Sequence, residues 1–110
     1  MARTPTGERM NTTTIHAYGL EIAGVNHAPG APDPGQTCTC MAWLNEHADR
    51  DDRLLRTGSG DLAHLVERAT GALISNGALI RAAWLLGYEY ERVRSGSVDA
   101  RFKMKIRGVQ

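Results

Sequence analysis

Apolar and charged residues alternate most regularly at the C-terminal end of the chain. The apolar positions, at every second residue, are Ala100, Phe102, Met104 and Ile106. Basic residues fill the positions between them, and a period of two is typical of a strand with one buried face. Residues 88–91 alternate in the same way, and residues 95–99 can form the turn. The pattern predicts a C-terminal antiparallel β-hairpin in which Glu91 lies opposite Lys103.

Two stretches upstream have the spacing of amphipathic helices. Thr39 can cap the first, which is predicted to extend to Ala48. In the second, the apolar positions at i, i+3, i+4 and i+7 are Leu62, Leu65, Val66 and Ala69. Ser59 or Asp61 is expected to cap this helix and Gly71 to end it. Each helix would place one apolar face on the core.

A third stretch is apolar on every side. Residues 78–86 contain Arg81 as their only polar residue, and Asn76 and Gly87 are predicted to cap and to end the helix. A helix without a polar face is normally buried on most sides. We therefore expect this helix at the centre of the core.

The remaining segments are predicted to be irregular. Residues 1–11 are expected to form a flexible leader, in which Met10 offers a second start position. Residues 12–25 are rich in β-branched side chains but interrupted by glycine, which favours an irregular strand. Three prolines within six residues predict an exposed loop over residues 26–37. An acidic pair predicts a short turn at residues 51–55.

These elements together predict an α+β fold in a single small domain over residues 12–110. It would contain the irregular N-terminal strand, two to three helices and the C-terminal hairpin. The expected core residues are Trp43, Leu44, Leu62, Leu65, Val66, Leu79, Ile80, Ala83, Trp84, Leu86, Tyr90, Phe102, Met104 and Ile106. Burying each large apolar side chain stabilises a fold by about 1.5–3 kcal/mol, so this set offsets much of the entropic cost of ordering one domain.

The net charge of +1 conceals an uneven distribution of charges. Residues 33–67 carry seven acidic residues and three arginines, whereas residues 68–110 carry eight basic and three acidic residues. The candidate nucleic-acid contacts are the basic residues of the hairpin, Arg92, Arg94, Arg101, Lys103, Lys105 and Arg107. Because the apolar third helix offers only Arg81 to a major groove, contact with phosphates is expected rather than base readout. The alternative is a solubilising strand that forms cross-strand ion pairs.

Four residues raise the question of a metal site, namely His27, Cys38, Cys40 and His47. Two cysteines and two histidines can satisfy tetrahedral zinc, but a single residue between the cysteines is shorter than the usual spacing, and no metal site is predicted. Cys40 lies near a predicted helix start, where the pKa of a thiol can be lowered. No motif for nucleophilic catalysis or phosphate binding accompanies it. We therefore expect no enzymatic activity and no cofactor.

The composition suggests a compartment and a source. No run of residues approaches the eighteen apolar positions of a transmembrane helix, and residues 1–9 lack the apolar stretch of a secretory signal. Two cysteines are too few for a disulfide framework. A cytoplasmic protein without membrane contact is expected. The excess of arginine over lysine, 11 to 2, suggests a GC-rich genome.

Two stretches resemble known sequences. Trp43-Leu44, Arg50-Asp51-Asp52 and Gly60-Asp61-Leu62-Ala63 resemble the start of the YozE-type, sterile-alpha-motif-like helical domains, which are small bacterial domains of unassigned function. The likeness spans about a fifth of the chain, and residues 53–59 are inserted relative to that pattern. Residues 75–83 with Gly87-Tyr88 are similar to a segment of small actinobacterial and phage proteins of unknown role. The resemblances imply an accessory protein of a high-GC bacterium or its phage and supply no catalytic or ligand residues.

Two functional hypotheses follow. The first is a non-enzymatic accessory or regulatory protein that contacts the nucleic-acid backbone through its basic hairpin. The second is a protein–protein interaction adaptor or inhibitor without nucleic-acid contact, in which the acidic segment or the basic hairpin attracts a protein partner of opposite charge. Partner identity, base preference and oligomeric state are left open by the sequence.

Overall fold

The elements of the protein are seen in a computed structural model, which describes residues 15–22 and 30–107. Within these residues they follow in the order β1 (Ile15–His16), β2 (Gly19–Leu20), α1 (Pro34–His47), β3 (Ala48–Leu54), α2 (Ser59–Thr70), α3 (Asn76–Leu85), β4 (Tyr90–Arg92) and β5 (Ala100–Ile106). The predicted α+β fold, a single small domain with three helices and a C-terminal strand pair, is confirmed. The expected leader at 1–11, the first residues of the proline loop and His27 lie outside the described residues.

The predicted C-terminal hairpin is present, but its register differs from the prediction by two residues. Tyr90 pairs with Phe102 and Glu91 with Arg101, so the expected pairing of Glu91 with Lys103 is wrong. The turn is centred one residue earlier than predicted, because Val93 N donates to the Asp99 carbonyl and Ser97 N to the Arg94 carbonyl, each at 3.0 Å. A shift of two residues leaves every side chain on its predicted face, since successive strand residues alternate between faces.

β5 is the central strand of a three-stranded antiparallel sheet in the order β3, β5, β4. The predicted turn at residues 51–55 is wrong, because these residues belong largely to β3. Arg50 pairs with Met104 and Leu54 with Lys103, so residues 51–53 bulge from the ladder. This charged bulge on an edge strand discourages pairing with another chain.

α1 begins five residues earlier than the expected cap at Thr39. Asp33 caps it, accepting a hydrogen bond from Gln36 N at 2.9 Å. Pro34 occupies the first turn, where its missing N–H has no helical partner to lose. The predicted loop over residues 26–37 is therefore wrong at its C-terminal end, since its last four residues are helical.

The caps of the other two helices also differ from the prediction, whereas Gly71 ends α2 as expected, in the left-handed conformation. Neither Ser59 nor Asp61 caps α2, because the N-cap is Gly58 and the Ser59 hydroxyl accepts instead from Ala100 N in the sheet at 3.0 Å. Ser75, not Asn76, caps α3. The side chains of Ser59 and Asn76 are instead engaged by tertiary partners, Ser59 by Ala100 and Asn76 by Tyr18 and Asp99.

α3 is the centre of the core, as its all-apolar sequence predicts, and it packs against α1, α2 and both strands of the β1–β2 hairpin. The expected core residues that are buried are Trp43, Leu44, Leu62, Val66, Leu79, Ile80, Ala83, Phe102, Met104 and Ile106. Four expected core residues are only half-buried, namely Leu65, Trp84, Leu86 and Tyr90. The core also takes in Leu20, Cys40, Ile74 and Tyr88, which the sequence analysis did not place there.

Candidate nucleic-acid interface

The outer face of β5 carries the basic side chains expected from the alternation. Arg101 and Lys105 are exposed and Lys103 is half-buried, while the residues between them are buried in the core. Neither the Arg101 nor the Lys105 side chain has an ion-pair or hydrogen-bond partner among residues 15–22 and 30–107, although Glu91 and Asp49 lie opposite them in the ladders. These two cations are therefore available to an anionic partner.

Two other basic residues at the sheet are already paired with carboxylates. Lys103 Nζ lies 3.1 Å from Glu89 Oε1, and Arg107 Nε lies 3.5 Å from Asp49 Oδ2. Arg107 also donates to the carbonyl oxygen of Glu46. Partly exposed pairs of this kind are worth little energetically and are screened by salt, but they reduce the positive charge that a phosphate would meet.

The two arginines of the β4 side have different roles. The Arg92 guanidinium donates to the carbonyls of Ser97 and of Glu21, the latter at 2.9 Å, and so ties the hairpin turn to the N-terminal segment. Arg94 lies exposed in the turn, without a partner in the part of the chain that the structure describes. Of the six expected contacts, the structure therefore leaves Arg94, Arg101 and Lys105 unpaired.

A concavity of about 460 Å³ next to the bulge is acidic. It is lined by Arg50, Asp51, Asp52, Glu89 and Lys103, and its three carboxylates outnumber its two cations. The Arg50 guanidinium is committed elsewhere, since it donates to the carbonyls of Gly87 and Leu86 at 2.9 and 3.1 Å and lies 5.1 Å from the centre of the Tyr88 ring. It thereby satisfies carbonyls at the end of α3, and this concavity repels an anion.

A second concavity, of about 450 Å³, has the opposite charge. Its lining residues are Asp51, Arg53, Leu54, Leu55, Arg56, Thr57, Met104, Lys105 and Ile106. We call it the basic groove. Three cations face one carboxylate, and the Asp51 carboxylate is itself engaged with Arg53, accepting from its backbone N–H at 2.9 Å and lying 4.0 Å from its Nε. Lys105 belongs both to the basic groove and to the outer face of β5.

Arg53 and Arg56 were not among the basic residues expected to bind. The sequence signal for them is the run Arg53-Leu54-Leu55-Arg56, in which cations flank two apolar residues. Its meaning depends on β3, because only the pairing of β3 with β5 brings this run beside Lys105. A turn at these residues, as the acidic pair suggested, gives no reason to group them with the C-terminal strand.

The expected metal-ligand candidates do not come together among the described residues. Cys38 and Cys40 point to opposite sides of α1, one exposed and one buried, and the His47 ring packs on Trp43 with ring centres 4.5 Å apart. No group of three or more His, Cys, Asp or Glu side chains suited to a metal ion is found within residues 15–22 and 30–107. His27, the fourth candidate, lies outside these residues.

The start of α1 does not lower the pKa of Cys40. Cys40 lies in the second turn of α1, beyond the first turn where the helix dipole acts, and burial raises the pKa of its thiol to about 12. The thiol therefore stays protonated at physiological pH and is a packing residue.

We expect the two cysteines to differ sharply in reactivity. At pH 8 an aromatic disulfide reagent should titrate one thiol per folded chain, because Cys38 is exposed and Cys40 is buried and protonated. A second thiol should react only after denaturation. Cys38→Ser should remove the fast-reacting thiol, and two fast thiols in the folded protein would contradict the burial of Cys40.

No helix within the described residues is long and apolar enough to cross a membrane. Comparisons with protein-family models, with curated proteins and with solved structures give no significant match. The case for a function therefore rests on the residues of the sheet face and of the basic groove.

Proposed function

We propose that this protein is a non-enzymatic accessory protein that binds the phosphate backbone of nucleic acid through the outer face of its C-terminal strand. The observation that carries the proposal is the pair of exposed, unpartnered cations Arg101 and Lys105 on β5. They lie four residues apart on the same face of β5. The exposed Arg94 lies in the adjoining hairpin turn. Phosphate contacts give affinity without sequence information.

The chemistry of the surface supports backbone contact rather than base reading. A recognition helix reads bases in a major groove only when it presents polar side chains to the base edges. α3 is buried along most of its length, and Arg81 is its one charged residue. An alternating strand of arginine and lysine, by contrast, suits a row of phosphates.

A cytoplasmic location in a high-GC bacterium or its phage is part of the proposal. Both cysteines are free thiols, which is usual for proteins of reducing compartments. The preference for arginine, 11 residues against 2 lysines, supports the source.

The test is the salt dependence of binding to short oligonucleotides of mixed sequence, offered as single strands and as duplexes from about 50 mM salt upwards. Each phosphate contact contributes a slope of about −0.9 on duplex and −0.7 on single strands to log affinity against log salt. Arg101→Gln with Lys105→Gln should therefore make the slope shallower by about 1.4–1.8. Both side chains point away from the core, so the fold should be preserved.

A charge-matched control is available on the helical layer. Arg68→Gln with Arg81→Gln removes the same charge from exposed positions of α2 and α3 and should leave the slope unchanged. Lys103→Gln should change it less than Lys105→Gln, because Glu89 already pairs with Lys103. Absence of oligonucleotide binding at about 50 mM salt, or equal effects of the two double variants, would overturn the proposal in favour of a protein–protein adaptor or inhibitor.

A further inference from the structure

We infer that the basic groove accepts an unpaired nucleotide, so that the protein prefers single-stranded nucleic acid to duplex. The inference rests on the proposed function, since it assigns the groove beside the phosphate-binding strand to the same ligand. Its basis is the combination of two chemistries in one concavity, an apolar floor and a cationic rim.

The floor of the groove suits the face of a base. Leu54 and Leu55 are half-buried and line the groove, while Met104 and Ile106 border it with only 1% and 5% of their surface exposed. A volume of about 450 Å³ falls in the range of sites for small molecules. A paired and stacked base cannot enter such a groove, whereas an unpaired base can be splayed into it.

The rim suits the phosphates on either side of that base. Arg53, Arg56 and Lys105 are all exposed, and the Arg53 side chain is 91% exposed. Arginine guanidinium groups both bind phosphate and stack on bases. The one carboxylate of the groove, on Asp51, is paired with Arg53, so the remaining charge is positive.

The positions of the cations also set the path of a nucleic-acid chain over the protein surface. Lys105 joins the groove to the outer face of β5, where Arg101 continues the row of cations. Next to the groove lies the acidic concavity, which contains the carboxylates of Asp52, Glu89 and Asp51, and Asp51 lines both concavities. A nucleic-acid chain is thus attracted along β5 to the groove and repelled from the acidic side.

The experiment compares a short single strand with the duplex of the same sequence on the intact protein. The single strand should bind about fivefold or more tightly, the gain expected when one base buries part of its face on apolar side chains. Leu54→Asn should remove this preference without changing the salt slope, because it alters the floor and no charge. Arg56→Gln should make the single-strand slope shallower by about 0.7, and Arg53→Gln should change it less, because the Asp51 carboxylate already lies 4.0 Å from Arg53 Nε.

The outcomes separate this inference from the proposed function. If duplex binds as tightly as the single strand and Leu54→Asn has no effect, while Arg101→Gln with Lys105→Gln still weakens binding, the groove assignment is overturned and the proposed function stands. If neither oligonucleotide binds, both are overturned. Binding of an acidic peptide with apolar residues, in the absence of oligonucleotide binding, would assign the groove to a protein partner and likewise overturn the inference. Because Arg53 and Arg56 are surface residues, their variants remain informative even if Leu54→Asn unfolds the protein.

Discussion

Gly77→Ala is expected to destabilise the fold by about 3 kcal/mol or more, at the upper end of the cost of overpacking. A Cβ at Gly77 would lie 1.8 Å from the carbonyl oxygen of His16, and two atoms cannot approach so closely. This oxygen belongs to the backbone, so no side-chain rotation can move it away. Moreover, Gly77 N donates to the Ala17 carbonyl at 3.0 Å, so the β1–β2 hairpin can retreat only by losing that hydrogen bond. The measurement is the urea midpoint of unfolding.

Gly60 provides a matched control for Gly77, because each is the second residue of its helix. A Cβ at Gly60 would lie 3.4 Å from Asp99 Oδ1, at the edge of ordinary van der Waals contact. Alanine has a higher helix propensity than glycine by about 1 kcal/mol, so Gly60→Ala should be neutral or slightly stabilising. Equal midpoints for the two variants would contradict the close packing of the N-terminal hairpin on α3.

Strand β5 shows what a sequence pattern can determine. A period of two identifies both the strand and its buried face, because a residue that moved to the other face would expose an apolar side chain to water. The register is not determined in this way, since a shift of two residues preserves the faces. Here the tight turn that Arg94 and Ser97 close selects the pairing of Tyr90 with Phe102.

Strand β3 shows what the pattern cannot determine. Its residues 48–54 are mostly charged and carry the signals of a turn. They form a strand because β5 has a second edge whose backbone groups need partners, and hydrogen bonds from Leu55 N to the Phe102 carbonyl and from Arg107 N to the His47 carbonyl flank the pairing. Tertiary contacts here override local preference.

The candidate interface, like the strands, was predictable from the sequence only in part. The alternation placed Arg101 and Lys105 on the solvent face of β5, and the structure has them there. The carboxylates that form ion pairs with Lys103 and Arg107 could not be identified from the sequence. Asp49 reaches Arg107 only through the unpredicted strand β3, and the pairing of Glu89 with Lys103 follows from the shifted register of the hairpin. Charge patterning identified the basic surface, and only the fold shows which of its cations are unpaired.

Asn76→Asp should cost about 3 kcal/mol at neutral pH, although the two side chains have nearly the same shape. The Asn76 amide nitrogen donates to the Tyr18 carbonyl at 2.8 Å and to Asp99 Oδ1 at 2.9 Å, and the Val98 carbonyl lies 3.4 Å away. It thus joins the N-terminal hairpin, the start of α3 and the segment before β5. The substitution replaces this donor with an oxygen that faces three other oxygens, one of them on a carboxylate.

The pH dependence of that loss separates charge repulsion from a simple loss of packing. The neighbouring carboxylate of Asp99 should raise the pKa of the introduced carboxyl in the folded state, so the folded chain binds a proton more tightly than the unfolded chain. Stability relative to the natural protein should then recover as the pH falls through this raised pKa, with recovery complete below about 4, the ordinary pKa of an aspartate in the unfolded chain. The measurement is the difference in urea midpoint at each pH. Asn45→Asp, at an exposed position of α1, is the isosteric control and should change stability by about 0.5 kcal/mol or less. If both variants unfold at the same midpoint at neutral pH, Asn76 does not hold these three segments together.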